Sequence, residues 1–400
     1  FSPFVLTLTR HDREQNLSGM TIHTPPGLLA KIAEVPLCEE PQAATGSCSP
    51  SSGIGTVLIA AGSGSAPLWL SGTAYLTASY AGAPFGLSIV IPERAGPLNL
   101  GEAIVRTAIG VDPHTAALTF TTDSLPLSKD GVPLRVQMFD LTIDRPNFII
   151  NPTDCEQLRI TGTVAGALPT GAAGSSANVS SPFAVSGCAQ LPFKPSFSAS
   201  TQGNARDNRN GASLSVRVTQ KSGEADVRSV QVVLPKKLPA RLTTLQQACR
   251  EATFDQNPAS CPAGSEVGMA LARTPTVPVA LAGPAYFVSH GGARYPELVI
   301  VLQGDGVAVE LNGETRIDQR TDITTSTFAT VPDAPIESFE LSLPERPNSA
   351  FASPKGRLCG KRLTILSTLT GQNGAQVSQA ARVAVTGCPR HGARRNTKRR

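Results

Sequence analysis

Apolar and polar residues alternate along much of this chain in short runs, as in Phe139, Leu141 and Ile143 set against Asp140, Thr142 and Asp144. A period of two marks a strand with one buried face and one wet face. Residues 4–9, 56–60, 68–77, 86–91, 104–111, 117–122 and 135–143 share the pattern, are rich in β-branched side chains and are bounded by Gly or Pro, so they are predicted strands. Helical spacing is rare. It appears at 26–35, after Pro25-Pro26, and at 239–250, where Leu238, Leu242 and Leu245 fall on one face. The expectation is an all-β chain of antiparallel sandwiches with one short helix in each.

A self-similarity organises these runs. Met20-Thr-Ile-His-Thr-Pro-Pro-Gly-Leu-Leu-Ala-Lys-Ile32 aligns with Val230-Gln-Val-Val-Leu-Pro-Lys-Lys-Leu-Pro-Ala-Arg-Leu242. Cys48-Ser-Pro-Ser-Ser-Gly-Ile-Gly55 aligns with Cys261-Pro-Ala-Gly-Ser-Glu-Val-Gly268, and Gly72-Thr-Ala-Tyr75 with Gly283-Pro-Ala-Tyr286. Phe139-Asp-Leu-Thr-Ile143 aligns with Phe339-Glu-Leu-Ser-Leu343, and Val185-Ser-Gly-Cys188 with Val385-Thr-Gly-Cys388. Four cysteines in register are hard to obtain by chance, so the chain reads as a tandem duplication. The expected modules are residues 1–195 and 196–388, separated by a polar, turn-prone stretch near 194–212 and followed by a disordered basic tail at 389–400.

With 400 residues, two large modules suit the length. Aromatic residues make up only 5% of the chain, so its core is lean and gains from covalent links. The cysteines are Cys38, Cys48, Cys155, Cys188, Cys249, Cys261, Cys359 and Cys388. None stands in the C-x-x-C spacing of a metal site, and no histidine recurs at matched positions, so disulfides are expected and metal is not. Adjacent pairing within each module gives Cys38 with Cys48, Cys155 with Cys188, Cys249 with Cys261, and Cys359 with Cys388.

The net charge of +5 comes from the tail, where Arg390, Arg394, Arg395, Lys398, Arg399 and Arg400 stand on a nearly neutral body. A neutral body argues against nucleic-acid binding. The tail is a candidate contact for an anionic wall polymer or membrane surface. No apolar run is long enough for a transmembrane helix. The opening Phe1-Ser-Pro-Phe reads as a cut within a longer precursor, with further copies of the module ahead of it.

Candidate chemistry is sparse. No G-x-S-x-G elbow, phosphate loop or dinucleotide loop occurs, and Gly62-Ser-Gly-Ser-Ala66 reads as a plain loop. Asp123, Asp130, Asp140 and Asp144 are the carboxylates a glycosidase would draw on, and Gly304-Asp-Gly306, Glu310, Asp318 and Asp322 are oxygen donors for calcium. Both sets also suit ordinary turns and wet strand positions. Trp69 and Tyr80 are the candidate ligand contacts, and Tyr75, matched by Tyr286, belongs to the shared core.

Several motifs carry a resemblance: Pro25-Pro-Gly-Leu-Leu-Ala-Lys-Ile32, Gly82-Ala-Pro-Phe-Gly-Leu-Ser-Ile89, Val111-Asp-Pro-His114, Ile143-Asp-Arg-Pro146, Asn151-Pro-Thr153, Leu191-Pro-Phe-Lys194 and Gly371-Gln-Asn-Gly-Ala-Gln376. In these the chain resembles large, repeat-built secreted and surface proteins of high-GC Gram-positive bacteria, the actinobacteria. The resemblance implies an extracellular location and carries no activity or catalytic residue across, and no motif in the chain calls for a cofactor. The expected function is a non-enzymatic spacer or adhesive module whose partner is a cell-wall polymer or another surface protein. The competing expectation is a carbohydrate-binding module or hydrolase acting on envelope polysaccharide.

Overall fold

The computed structural model describes residues 2–95, 98–129, 132–168, 170–203, 210–352 and 358–388. The basic tail, including Arg390, Arg394, Arg395, Lys398, Arg399 and Arg400, lies outside the described residues, as does Asp130.

The chain is all-β. The main strands of its first half are β1 (Phe4–Thr9), β2 (Asn16–His23), β3 (Gly53–Ala61), β4 (Leu68–Thr77), β5 (Phe85–Ala95), β6 (Leu98–Val111), β7 (Leu118–Thr122), β8 (Val136–Ile143), β9 (Leu158–Ala167) and β10 (Ala173–Phe183). Its second half holds β11 (Ser196–Gln202), β12 (Leu214–Thr219), β13 (Val227–Val233), β14 (Glu266–Arg273), β15 (Leu281–Ser289), β16 (Glu297–Gly304), β17 (Val307–Ile317), β18 (Thr324–Phe328), β19 (Ser338–Leu343), β20 (Thr364–Gly371), β21 (Gln376–Arg382) and β22 (Ala384–Thr386).

The first sheet runs β1-β8-β3-β4-β5-β6-β7-β2-β9-β10. The second runs β22-β11-β12-β19-β14-β15-β16-β17-β18-β13-β20-β21. Every strand of the first sheet thus has a counterpart at the same place in the second, from β1 and β12 to β10 and β21. The likeness extends to irregularities. A bulge slips the β3–β4 ladder between Gly53 and Gly55, and another slips β14–β15 between Glu266 and Gly268. A Cβ on Gly55 or Gly268 would run into the backbone carbonyl of Thr142 or Ser342, and one on Gly72 or Gly283 into that of Val90 or Val301. The aligned glycines are there because neighbouring backbone leaves no room for a side chain.

A second recurrence explains the Ile143-Asp-Arg-Pro146 motif. Arg145 Nη1 donates to the Ser51 and Gly53 carbonyls at 2.8 Å each, and Arg346 Nη2 donates to the Glu266 carbonyl at 2.7 Å. Glu266 is the counterpart of Gly53.

The helices differ from expectation. Residues 26–35 form a turn at Gly27, a short strand Leu29–Ala30 paired with Ile149–Ile150, and a 3-10 turn Ile32–Glu34. Gly27 takes φ +85°, a conformation that breaks a helix, and Leu28 and Leu29 reach the core from an extended backbone. The helix of this half is α1 (Gln42–Thr45), ended by Gly46 at φ +72°. Within 239–250 only α2 (Leu242–Leu245) is helical, and α3 (Glu251–Gln256) follows Cys249.

Sulfur bridges join Cys38 to Cys48, Cys155 to Cys188, Cys249 to Cys261, and Cys359 to Cys388, the pairs predicted from the spacing, with Cα separations of 5.4–5.7 Å. The two short bridges hold matched lids on the outer faces of the sheets. Cys38 bridges to Thr77 of β4, and Cys249 to Val288 at the equivalent place in β15. Beneath the first lid, Ala43 packs with both cysteines against Tyr75. Beneath the second, Phe254 packs edge-on to Tyr286 at 5.8 Å, over Val288, Val299 and Val301.

On the inner faces, buried side chains of the two halves form one continuous apolar core. A cavity of about 290 Å³ within it is lined by both halves, with Leu28, Phe85 and Ile109 on one side and Val230, Leu302 and Phe328 on the other. The joint is also hydrogen-bonded: Ile32 N donates to Thr276 O and Glu310 N to Pro113 O, each at 2.8 Å.

Candidate functional site

Pairing register places Trp69 on the outer face of the first sheet, in a row across Thr9, Met138, Ala60 and Trp69. The adjoining rows run Thr7, Asp140, Leu58, Ser71 and Val5, Thr142, Thr56, Thr73. Alternation turns these side chains away from the core, so Trp69 is 55% exposed, Val5 54% and Leu58 39%. An indole and two aliphatic side chains on a threonine-rich sheet make an amphipathic surface suited to the flat face of a sugar ring or the apolar rim of a protein. The matched positions in the second half are Ala280, Ser215 and Leu271, so the indole belongs to the first half alone.

Tyr80 stands elsewhere. It follows the far end of β4, which at about 3.3 Å per residue is some 26 Å or more from Trp69. Its hydroxyl donates to Asp123 Oδ2 at 2.5 Å, and the Arg106 guanidinium lies over its ring, 4.0 Å from the centroid. Arg106, only 7% exposed, also pairs with Glu40 of the lid at 2.5 Å. The hydrogen bond to Asp123, and secondarily burial, raise the Tyr80 phenol above its ordinary pKa. Tyr80 is therefore a strut between the lid and the end of β7 rather than a free platform. In the second half Glu251, the counterpart of Glu40, is held instead by His290 Nδ1 at 3.0 Å, with Glu297 on the other side of the ring at 3.4 Å.

Among the described residues, Asp123 and Asp140 each have partners of their own and share none. Asp140 accepts from Thr7 Oγ1 at 2.6 Å and Thr142 Oγ1 at 3.3 Å on the open sheet face. Asp123 borders a groove of about 470 Å³ lined by Ser18, Met20, Thr122 and Thr163, and among the described residues no second carboxylate is in its wall. Asp318 closes its own turn by accepting from Arg320 N, Thr321 N and Thr321 Oγ1, and the Thr321 backbone bond leads in holding its carboxyl below the usual range. Asp112, in the matching turn, accepts from His114 N, Thr115 N and Thr115 Oγ1. The resemblance motif Val111-Asp-Pro-His114 is thus a turn former. Among the described residues no group of three or more His, Cys, Asp or Glu side chains is placed to hold a metal.

One acidic cluster escaped the sequence. At the joint between halves, Asp333 accepts from Thr153 N at 2.8 Å, Thr153 Oγ1 at 2.7 Å and Asp154 N at 3.2 Å, while Asp226 N donates to Thr153 Oγ1 at 2.9 Å. Burial, then the neighbouring Asp333 charge, push the Asp226 carboxyl well above its usual range. The only hint was Thr153 in the motif Asn151-Pro-Thr153, since contacts across some 180 positions leave no local trace.

No family model matches the chain. No curated relative matches it either. Among solved structures it is similar to the C-terminal domain of the Streptococcus pyogenes antigen I/II-family protein AspA, at 8% identity over 95% of this chain and 99% of that one, with a TM-score of 0.21. It is also similar to part of the N-terminal region of the Enterococcal surface protein, at 8% identity over 93% and 96%, with a TM-score of 0.19. Likeness at this level carries no argument about what the chain does. No helix among the described residues is long and apolar enough to cross a membrane, which says nothing of strands.

Proposed function

We propose that the chain is a non-enzymatic extracellular module, a duplicated β unit that acts as a rigid spacer and adheres through the Trp69 face. The observation that carries this reading is the union of two disulfide-stapled β units through one apolar core, with Trp69, Val5 and Leu58 left exposed outside it. Paired cysteines suit an oxidising compartment such as a cell surface. Matched strand order, matched bulges and matched lids support duplication. The partner is a cell-wall polymer or another surface protein, and the tail at 389–400 adds salt-sensitive attraction to an anionic one.

A carbohydrate-binding role is the second reading, favoured by the exposed indole of Trp69. The test is retention of the full chain on purified wall polymers, glycans and surface proteins, with released reducing sugar measured alongside. Retention that falls at least about tenfold in Trp69→Ala, without sugar release, is the expected outcome. Sugar release would restore the hydrolase. Retention indifferent to Trp69→Ala would remove the adhesive face.

A further inference from the structure

The cavity in the core runs through the interior of the second half, and the wall there is complete. β11 pairs with β12 along one edge, Phe197 opposite Val218 and Ala199 opposite Val216, and in parallel with β22 along the other. Gln379 of β21 ties it to the far end of the sheet, accepting from Phe197 N at 3.1 Å and donating to Pro195 O at 2.6 Å. The sheet thus closes on itself. Closing so many strands makes a wide interior, and the short side chains of valine do not fill it.

The inward positions show the shortfall. Val216, Val230, Val232, Val309, Phe328 and Phe339 all line the cavity, yet each is only half-buried. A side chain that points into a packed core loses nearly all its surface, so the surface these six keep faces the cavity. The Phe328 ring lies against the wall of β17, where a Cβ on Gly313 would meet it. One polar group in this apolar wall stands without a partner. The hydroxyls of Thr24, Thr274 and Thr276 are hydrogen-bonded. Ser326 lies opposite Val232 on β13 and Thr315 on β17, and its Oγ is buried and makes no hydrogen bond. Such an orphan has lost its water and gained nothing in return, which makes it a place for a ligand's polar end.

We propose that this cavity binds an uncharged single-chain amphiphile of the fatty-alcohol class, with the alkyl chain against the valines and the hydroxyl hydrogen-bonded to Ser326 Oγ. The volume of about 290 Å³ is about twice that of an engineered cavity that holds one benzene ring, so it admits roughly a dozen non-hydrogen atoms. A medium-length chain such as 1-decanol matches that size. Among the described residues no Asp, Glu, Lys, Arg or His lines the cavity. An ionised fatty acid is therefore rejected, since its carboxylate would be buried without a counter-charge. The site is separate from the Trp69 face and does not rest on the adhesive reading.

The test titrates 1-decanol, and separately decanoate at about pH 8 where its carboxyl is ionised, into the full oxidised chain in a calorimeter. Saturable one-to-one binding of 1-decanol is expected, and none of decanoate. Ser326→Ala should weaken 1-decanol about fivefold, the loss of one hydrogen bond between uncharged groups. Val232→Phe should abolish binding by filling the space, with circular dichroism reading whether that variant folds. Nuclear Overhauser contacts from the decanol chain to the Val230 and Val232 methyls should appear in the unsubstituted chain. Failure of 1-decanol to bind, decanoate binding as tightly, affinity untouched by Ser326→Ala, or contacts that fall on the Trp69 face instead would overturn the proposal.

Discussion

The lids set two predictions about stability against each other. The Cys38–Cys48 and Cys249–Cys261 bridges close loops of 10 and 12 positions, so loop entropy assigns each about 3 kcal/mol and hardly separates them. Packing does separate them. The second bridge holds Phe254, 3% exposed, against Tyr286 and three valines, while the apolar contact beneath the first is Ala43 against Tyr75. Releasing a buried phenylalanine adds about 2 kcal/mol. The Cys249→Ala/Cys261→Ala variant should therefore lose about 5 kcal/mol, against about 3 kcal/mol for Cys38→Ala/Cys48→Ala. Alanine avoids placing a hydroxyl at Cys249, which is fully buried. Guanidinium unfolding followed by far-UV circular dichroism reads the difference. Equal losses within about 0.5 kcal/mol, or a larger loss at the first lid, would refute the view that packing beneath each short bridge sets the difference between them.

The aligned glycines make a sharper case. Gly72→Ala and Gly283→Ala should each cost about 2–4 kcal/mol in the same unfolding assay, because a methyl would displace backbone rather than a movable side chain. Gly291→Ala, which faces open space, should change stability by less than about 0.5 kcal/mol. The raised Asp226 carboxyl gives a pH dependence with a definite sign. Burial, then Asp333, raise the folded-state pKa, so the contribution of Asp226 is fully present below the ordinary aspartate range and is lost as pH rises toward the raised folded value. Asp226→Asn should therefore gain in melting temperature relative to the parent at about pH 8 more than at about pH 4, and a gain that is larger in acid would contradict the assignment.

Much of the fold was legible because alternation is a local signal. The run 68–77 shows its buried face as Leu70, Ala74 and Leu76, and it forms β4 with the predicted bounds. β9 and β10 left little trace. Segments such as Ala173-Gly-Ser-Ser-Ala-Asn-Val are small and polar, and β10 is exposed along most of its length, so no buried face writes a pattern into it. The expected helix at 26–35 failed because Leu28, Leu29, Ile32 and Val35 suit a helical stripe and a turning extended segment equally well. Gly27 at positive φ chooses the second.

The disulfides could be read because each closes within its own half. The candidate site could be read only in part: Trp69 on a predicted strand marked the exposed face, but its distance from Tyr80 depends on which end of β4 each occupies. Arg106, Glu40 and Asp123 meet around Tyr80 through strand pairing, and Asp226 meets Asp333 across the joint, so neither grouping has a sequence signature.

The claim beneath the spacer reading is that two β units share one core and behave as one body. Scanning calorimetry of the oxidised chain tests it most directly. A single transition is predicted, with the calorimetric enthalpy equal to the van't Hoff enthalpy. Two resolved transitions, each carrying the enthalpy of half the chain, would contradict it.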